Sequence, residues 1–290
     1  MPYLDELLPA LETQRLQPTE ILIVDTSSTD GSPGRWARWG ARVVNVPLNE
    51  FNHGGTRRKA SSLVKSDILI YMTQDAIPAD RNALLCLKNA LFSAPDIGMA
   101  YGRQLPSLNA GVLARHSRVF NYPAESRTKR MSDASELGIK TCFSSNAFSA
   151  YRRTALEAVG GFPEDVIGTE DTHVAARMLL ANYAVRYEAD ARVRHSHEYS
   201  ITEEFKRYFD IGVFYGREQW IRRHFGRARK DGGRYVKDAL RTVLAQEWWR
   251  LPEVAVRTAC KASAFRLGRV ETHIPRFVKR RVSMFHRYWE

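Results

Sequence analysis

Short apolar runs alternating with helix-patterned stretches constrain this 290-residue chain more than any other feature. Residues 20–24, 42–46, 67–72 and 97–101 are brief, rich in Ile and Val, and bounded by Pro, Gly, Asn or Asp, the marks of buried strands. Residues 3–14, 55–64 and 81–92 repeat their apolar positions with a helical period. Strand, helix, strand, helix implies an α/β fold, with a mainly parallel sheet covered by helices. In open sheets of that kind ligands bind beyond the carboxyl ends of the strands, so the residues that follow each strand are the ones to read for chemistry.

The first such turn is Asp25-Thr26-Ser27-Ser28-Thr29-Asp30-Gly31-Ser32. A carboxylate followed by small hydroxyl residues and Gly offers an acceptor for a ring N–H beside backbone donors for an anion; a helix cap or plain turn is the alternative. The second is Thr73-Gln74-Asp75. One carboxylate suffices there for a divalent cation if a diphosphate supplies further oxygens, because Mg2+ takes only one or two protein carboxylates; the alternative is a cap for the helix near Arg81. Further on, Val159-Gly160-Gly161-Phe162-Pro163 is a helix stop and tight turn leading to Gly168-Thr169-Glu170-Asp171 and a helical pattern over 173–180. Glu170 and Asp171 therefore stand in a helix's first turn, where the macrodipole favours the ionised form and keeps a base available. Residues 191–197 read as a strand ending in His195-Ser196-His197. Two positions apart on an extended chain, the two rings point the same way and suit a metal or a phosphate, although histidines are by default surface or core residues.

Charge divides the chain in two. Residues 1–216 balance 25 Lys and Arg against 25 Asp and Glu, while 217–290 hold 19 against 7, which accounts for the whole net charge of +12. The expected organisation is a domain over 1–216 and a basic helical extension over 217–290. In the extension Trp220, Phe225, Trp248, Trp249, Phe265, Phe277, Phe285, Tyr288 and Trp289 interleave with the cations. Helices lying in an anionic lipid interface have this pattern; a solvated helical face over an ordinary aromatic core is the alternative. No apolar run approaches the roughly 20 residues needed to span a bilayer. Acids in residues 1–14 stand where a secretory signal is basic and then apolar. Cys86, Cys142 and Cys260, odd in number and far apart, fit a reducing cytosol and no metal-ligand spacing.

Taken in order, Ile23-Val24-Asp25 with Ser28-Thr29-Asp30-Gly31, Gly55-Thr56-Arg57-Arg58-Lys59-Ala60, Thr73-Gln74-Asp75, Val159-Gly160-Gly161-Phe162, and Glu170-Asp171 with Arg177 resemble family 2 glycosyltransferases of the GT-A fold. Within the family, Phe51-Asn52-His53-Gly54-Gly55-Thr56-Arg57, the Thr-Gln-Asp-Ala form of the metal motif and His195-Ser196-His197 look most like bacterial rhamnosyltransferases that build surface polysaccharides. The resemblance implies a Rossmann-like sheet and a nucleotide-sugar site. In it Asp25 recognises the base and Arg57 lies near the base or diphosphate. Thr73, Gln74 and Asp75 line the donor, with Asp75 binding Mg2+ or Mn2+ and His195 and His197 adding a metal or phosphate contact. Gln74 stands where the family usually has an acid, which makes the site less charged. Asp171 matches the catalytic base, with Glu170 as its neighbour. Asn146 and Arg177 are expected as acceptor or flap positions, and residues 102–140, with Arg127, Lys129 and Arg130, are read apart from the resemblance as a mobile flap over the acceptor.

The activity so implied is inverting transfer of L-rhamnose from dTDP-rhamnose to a lipid-linked saccharide of O-antigen or capsule synthesis. It would take place at the cytoplasmic face of the membrane, with the basic tail on anionic lipid and no nucleic-acid partner. One departure stands out. Family members begin with a buried strand carrying a Pro and a Tyr-Asn or similar pair, whereas Met1-Pro2-Tyr3-Leu4-Asp5 resembles the helix that follows it. The expected sheet therefore lacks its first strand: either the true start lies upstream or another element or chain fills the gap, and without it neighbouring edges stay open, the pocket is incomplete and the activity is reduced. That gap and Gln74 also suit a non-catalytic relative that binds a sugar nucleotide. A nucleic-acid binder working through the tail is the remaining alternative, with no recognised motif behind it.

Overall fold

The structure, a computed structural model, describes residues 3–226 and 231–290. Met1 and Pro2, and residues 227–230 of the basic segment, lie outside the described residues. Helix α1 (Leu4–Glu12) buries Leu4, Leu7 and Leu11 along one face, at helical spacing. Strand β1 (Leu22–Asp25), helix α2 (Ser32–Trp39) and strand β2 (Arg42–Asn45) follow, the two strands pairing in parallel from Leu22 opposite Arg42 to Asp25 opposite Asn45. Next come α3 (His53–Leu63), β3 (Ile68–Met72), β4 (Ile77–Pro78), α4 (Ala83–Phe92), β5 (Ile97–Leu105), α5 (Val112–Asn121), β6 (Arg127–Lys129) and α6 (Ala134–Leu137). The chain continues through β7 (Phe148–Arg152), α7 (Arg153–Ala158), α8 (Glu170–Leu180) and β8 (Ala184–Arg194). Among the described residues it ends in the α-helices α9 (Ile201–Arg217), α10 (Gln219–Phe225), α11 (Asp231–Gln246), α12 (Leu251–Arg269) and α13 (Arg276–Val282).

The larger sheet runs β3-β7-β5-β8-β4, with β6 beside β8. Its centre is the parallel pair β5–β8, matched from Ile97 opposite Ala184 to Leu105 opposite Arg194. β7 lies antiparallel between β3 and β5, because it sets out from the rim where β3 ends: Phe148 faces Met72, and Arg152 faces Ile68. This reversal places residues 144–147 next to the loop that follows β3. Alternate residues take opposite faces, as the pleat requires. Met99 and Tyr151 join the cluster under α7, α8 and α9, while Ala100 and Ala150 join the cluster under α1 and α4.

The expected α/β architecture with its flanking helices is present, and three expectations change. β1 and β2 are half-buried rather than buried. They form a separate two-stranded sheet, and among the described residues no ladder joins β1 to β3, so each keeps one edge without a strand partner. Residues 102–140 are not a loose flap: they carry α5 and β6. Lys129 is buried, with its ammonium donating to the hydroxyl of Tyr101 and to the carbonyls of Lys140 and Phe143, while Arg130 pairs with Asp96 and Arg127 with Glu136. The described residues of the basic segment are largely helical and fold back on the domain, with Trp289 and Phe225 buried and Phe285 and Tyr288 half-buried, so these four aromatics serve packing rather than a lipid surface. Trp248, Trp249 and Phe277 remain exposed. Among the described residues no helix is long and apolar enough to cross a membrane.

Candidate active site at the rim of the sheet

Three loops meet beyond the ends of β3, β5 and β8. The N–H of Thr73 donates to the Ala147 carbonyl at 3.2 Å, and the N–H of His195 donates to the Leu105 carbonyl at 2.9 Å. Asp75 and the two histidines are thereby brought face to face. Asp75 Oδ2 lies 3.4 Å from His195 Nδ1 and 3.6 Å from His197 Nε2. The two imidazole rings, on the same side of an extended stretch, have centroids 4.7 Å apart. One ligand atom from each of the three residues fits within 4.8 Å of the others. His195 Nδ1 and the Thr73 hydroxyl are buried and meet the Asp75 carboxylate only at long range, and one carboxylate with two imidazoles is a donor set that fits a divalent cation. Burial, followed by the neighbouring His195, pulls the His197 pKa down to about 4, so its ring is neutral and has a lone pair to offer. Gln74 is exposed.

The adjoining carboxylate pair is built from the turn before α8. α7 stops at Gly160 and Gly161, both in the left-handed region with φ of 80° and 69°. Gly160 and Gly161 donate back to the Glu157 and Leu156 carbonyls. α3 docks on this turn: Arg58 donates to the Phe162 and Gly160 carbonyls at 2.8 and 2.7 Å. Gly54 abuts the Pro163 carbonyl so closely that a Cβ there would stand 1.6 Å from the oxygen. The docking brings Arg57 to Glu170 at 2.9 Å. Thr169, with φ of 61°, precedes α8 in a conformation that β-branched residues rarely adopt.

Asn146 holds both acids. Its N–H donates to Asp171 at 3.2 Å and its side-chain amide to Glu170 at 3.0 Å, while its own carbonyl oxygen accepts from Ser149 and Tyr151 at 2.8 and 2.6 Å. Burial pushes the buried Glu170 up, but the Arg57 charge, then His53 and the Asn146 amide, outweigh it and hold the carboxyl below its usual range. Asp171 moves the other way. Burial and then the fixed charge of Glu170 raise it to about 6. Of the two, Asp171 is the carboxylate suited to take up a proton near neutral pH.

The other sequence candidates lie further out. The Asp25 carboxylate ends β1 and accepts the Ser28 N–H at 2.8 Å. Arg177 donates to the Gly161 carbonyl, bracing the turn rather than touching either acid. In the sequence His53 stands only within a motif, and Phe285 and Tyr288 only within the tail, with nothing to join them to this rim. The Phe285 ring packs edge-on to His53 at 5.0 Å and against Gly168, where a Cβ would come within 3.1 Å of it. Tyr288 donates to the Asp165 carbonyl at 2.8 Å. No local pattern around residue 285 signals a partner more than a hundred positions away.

The model of glycosyl transferase family 2 matches residues 1–160, which carry the Asp25, Arg57, Asp75 and Asn146 positions described above. The chain belongs to glycosyltransferase family 2. This glycosyltransferase is 42% identical over 286 residues to the O-antigen chain rhamnosyltransferase WbaN of Salmonella anatum, covering 98% of this chain and 90% of that protein. It is 41% identical over 287 residues to the O-antigen chain rhamnosyltransferase RfbN of Salmonella typhimurium strain LT2, with the same coverage. Its fold is shared with the mannosyltransferase PcManGT from Pyrobaculum calidifontis, solved in complex with GDP-Man and Mn2+. That likeness has a TM-score of 0.56 at 20% identity and covers 99% of this chain and 81% of that one.

Proposed function

We propose that this glycosyltransferase moves L-rhamnose, with inversion, from dTDP-rhamnose to a lipid-linked saccharide of O-antigen or capsule synthesis at the cytoplasmic membrane face. The names of WbaN and RfbN support the sugar and the product. The observation that carries the reaction is the coupling of two loops through adjacent residues: Asn146 holds Asp171, and Ala147 holds the loop of Asp75.

Asp171 accepts the proton of the acceptor hydroxyl as that oxygen forms its bond to the anomeric carbon. The bond from that carbon to the diphosphate oxygen breaks on the opposite face, and the nucleoside diphosphate leaves with the electron pair. Glu170, kept ionised by Arg57, stays a fixed charge that strengthens its neighbour as a base. Asp75, His195 and His197 would hold the cation. When bound there, a divalent ion offsets the charge that develops on the leaving diphosphate. Two imidazoles with one carboxylate suit Mn2+ better than Mg2+, which prefers oxygen. Asp25 and Arg57 are assigned to the donor side, Thr73 and Gln74 to the loop that lines it, and Asn146 and Arg177 to the acceptor side.

Trp248 and Trp249, 66% and 61% exposed between α11 and α12, support contact with an anionic lipid surface. The donor assignment is tested by thermal shift with nucleoside diphosphate sugars and Mn2+, since a ligand that binds only the folded chain raises its melting temperature. dTDP-rhamnose is expected to give the largest shift; a larger one from GDP or UDP sugars contradicts the assignment.

A further inference from the structure

A cavity of about 310 Å3 opens beside the cation cradle, with His197 in its wall and α5, α9, α11 and α12 around it. Most of its charged side chains neutralise one another. Arg257 pairs with Glu204 and Glu253 at 3.0 and 2.8 Å, Lys261 with Glu204 at 3.0 Å, and Arg250 with Glu247 and Glu253 at 3.1 and 2.9 Å. Glu198 accepts the Gly111 N–H.

Two cations are left over. Among the described residues, neither Arg118 on α5 nor Arg207 on α9 has a carboxylate within ion-pair distance. Each guanidinium instead faces an aromatic ring, Arg118 over Tyr122 at 5.9 Å and Arg207 over Tyr199 at 5.6 Å. Tyr199 stacks on His197 with centroids 5.0 Å apart and planes 29° apart, so Arg207 stands two rings from Asp75. Arg118 lies within the electrostatic reach of Asp75 and is half-buried, and its burial weakens the charged form unless an anion offsets the cost.

The geometry points to Arg118 and Arg207, both in the wall of this cavity, as a guanidinium pair that grips a diphosphate. Guanidinium forks match phosphate oxygens in pairs, which a point charge does not. A nucleoside diphosphate leaving group also carries more charge than one divalent ion already bound by a carboxylate offsets, and cations held in place before the reaction supply the remainder. The assignment rests on the donor and acceptor chemistry proposed above. Two sources share the recognised group: the diphosphate of the donor and a lipid diphosphate on the acceptor.

Calorimetry on the full chain with Mn2+ separates them, using dTDP, dTMP and farnesyl diphosphate as probes. Arg118→Gln and Arg207→Gln are each expected to weaken one of the diphosphates by about tenfold or more while dTMP changes much less. Loss on dTDP places the pair on the donor side, and loss on farnesyl diphosphate on the acceptor side; both support it. Arg118→Lys and Arg207→Lys, which keep the charge without the fork, are expected to fall between, and guard against a folding defect in the Gln variants. Unchanged affinity for both diphosphates in all four variants overturns the pair alone, provided the wild-type chain binds dTDP. A wild-type chain that binds neither diphosphate overturns this assignment and the donor reading together.

Discussion

The backbone N–H of Asn146 points at the Asp171 carboxylate from 3.2 Å, and the side-chain amide of the same residue reaches Glu170 at 3.0 Å. One residue thus sets the spacing of the acid pair, and its neighbour Ala147 ties that spacing to the loop of Asp75.

Asn146→Ala keeps the backbone donor but strands the Tyr151 and Ser149 hydroxyls, which are buried and bonded to the amide oxygen. A loss of about 1–3 kcal/mol in folding stability is expected by denaturant titration. Transfer is expected to slow as well, because Glu170 loses a donor. A variant with wild-type stability and rate would show that the amide holds nothing.

The pH profile follows from Asp171. A base with its pKa at about 6 is mostly ionised at neutral pH. As pH falls below that value the ionised fraction, and with it the rate, is expected to drop by about tenfold per unit. An ordinary aspartate, near 3.9, would leave the rate flat to about pH 5. Single-turnover rates between pH 5 and 8 decide between the two.

Local pattern announces what depends on neighbours in sequence. β3 and its Thr73-Gln74-Asp75 exit, the glycine stop at 160–161, and α8 opening on Glu170 all follow from such pattern, and each lies where the sequence puts it. The spacing of His195 and His197 likewise carries its own geometry. The antiparallel insertion of β7 is not visible in this way, because it is fixed by the pairing of Met72 with Phe148, 76 positions on. The end of the tail hides its partners for the same reason. Phe285, Tyr288 and Trp289 look like an interfacial cluster until the fold supplies His53, Asp165 and the buried Phe209 as partners.

The motif glycine at 54 is a point of close contact between α3 and the turn before α8. Gly54→Ala drives a methyl into the Pro163 carbonyl and is expected to cost at least about 1–3 kcal/mol on thermal or denaturant melting, as overpacking does. Because α3 must move, Arg57 is expected to draw away from Glu170 and the pH profile to shift. A neutral substitution would mean that α3 does not dock as described.

Trp248→Ala with Trp249→Ala removes the largest exposed apolar pair of the tail. Sedimentation with phosphatidylglycerol vesicles is expected to show several-fold weaker binding, with solution stability unchanged because neither ring is buried. Equal binding by the double variant would take this elbow out of any membrane contact.

The most direct test of the central claim is the turnover of Asp171→Asn, measured beside its affinity for dTDP and Mn2+. Loss of the base is expected to slow transfer by about 10²–10⁴-fold while nucleotide affinity stays near wild type, since Asp171 is hydrogen-bonded to Asn146 and not part of the cation cradle. Turnover close to that of the unaltered chain would contradict the assignment of Asp171 as the base.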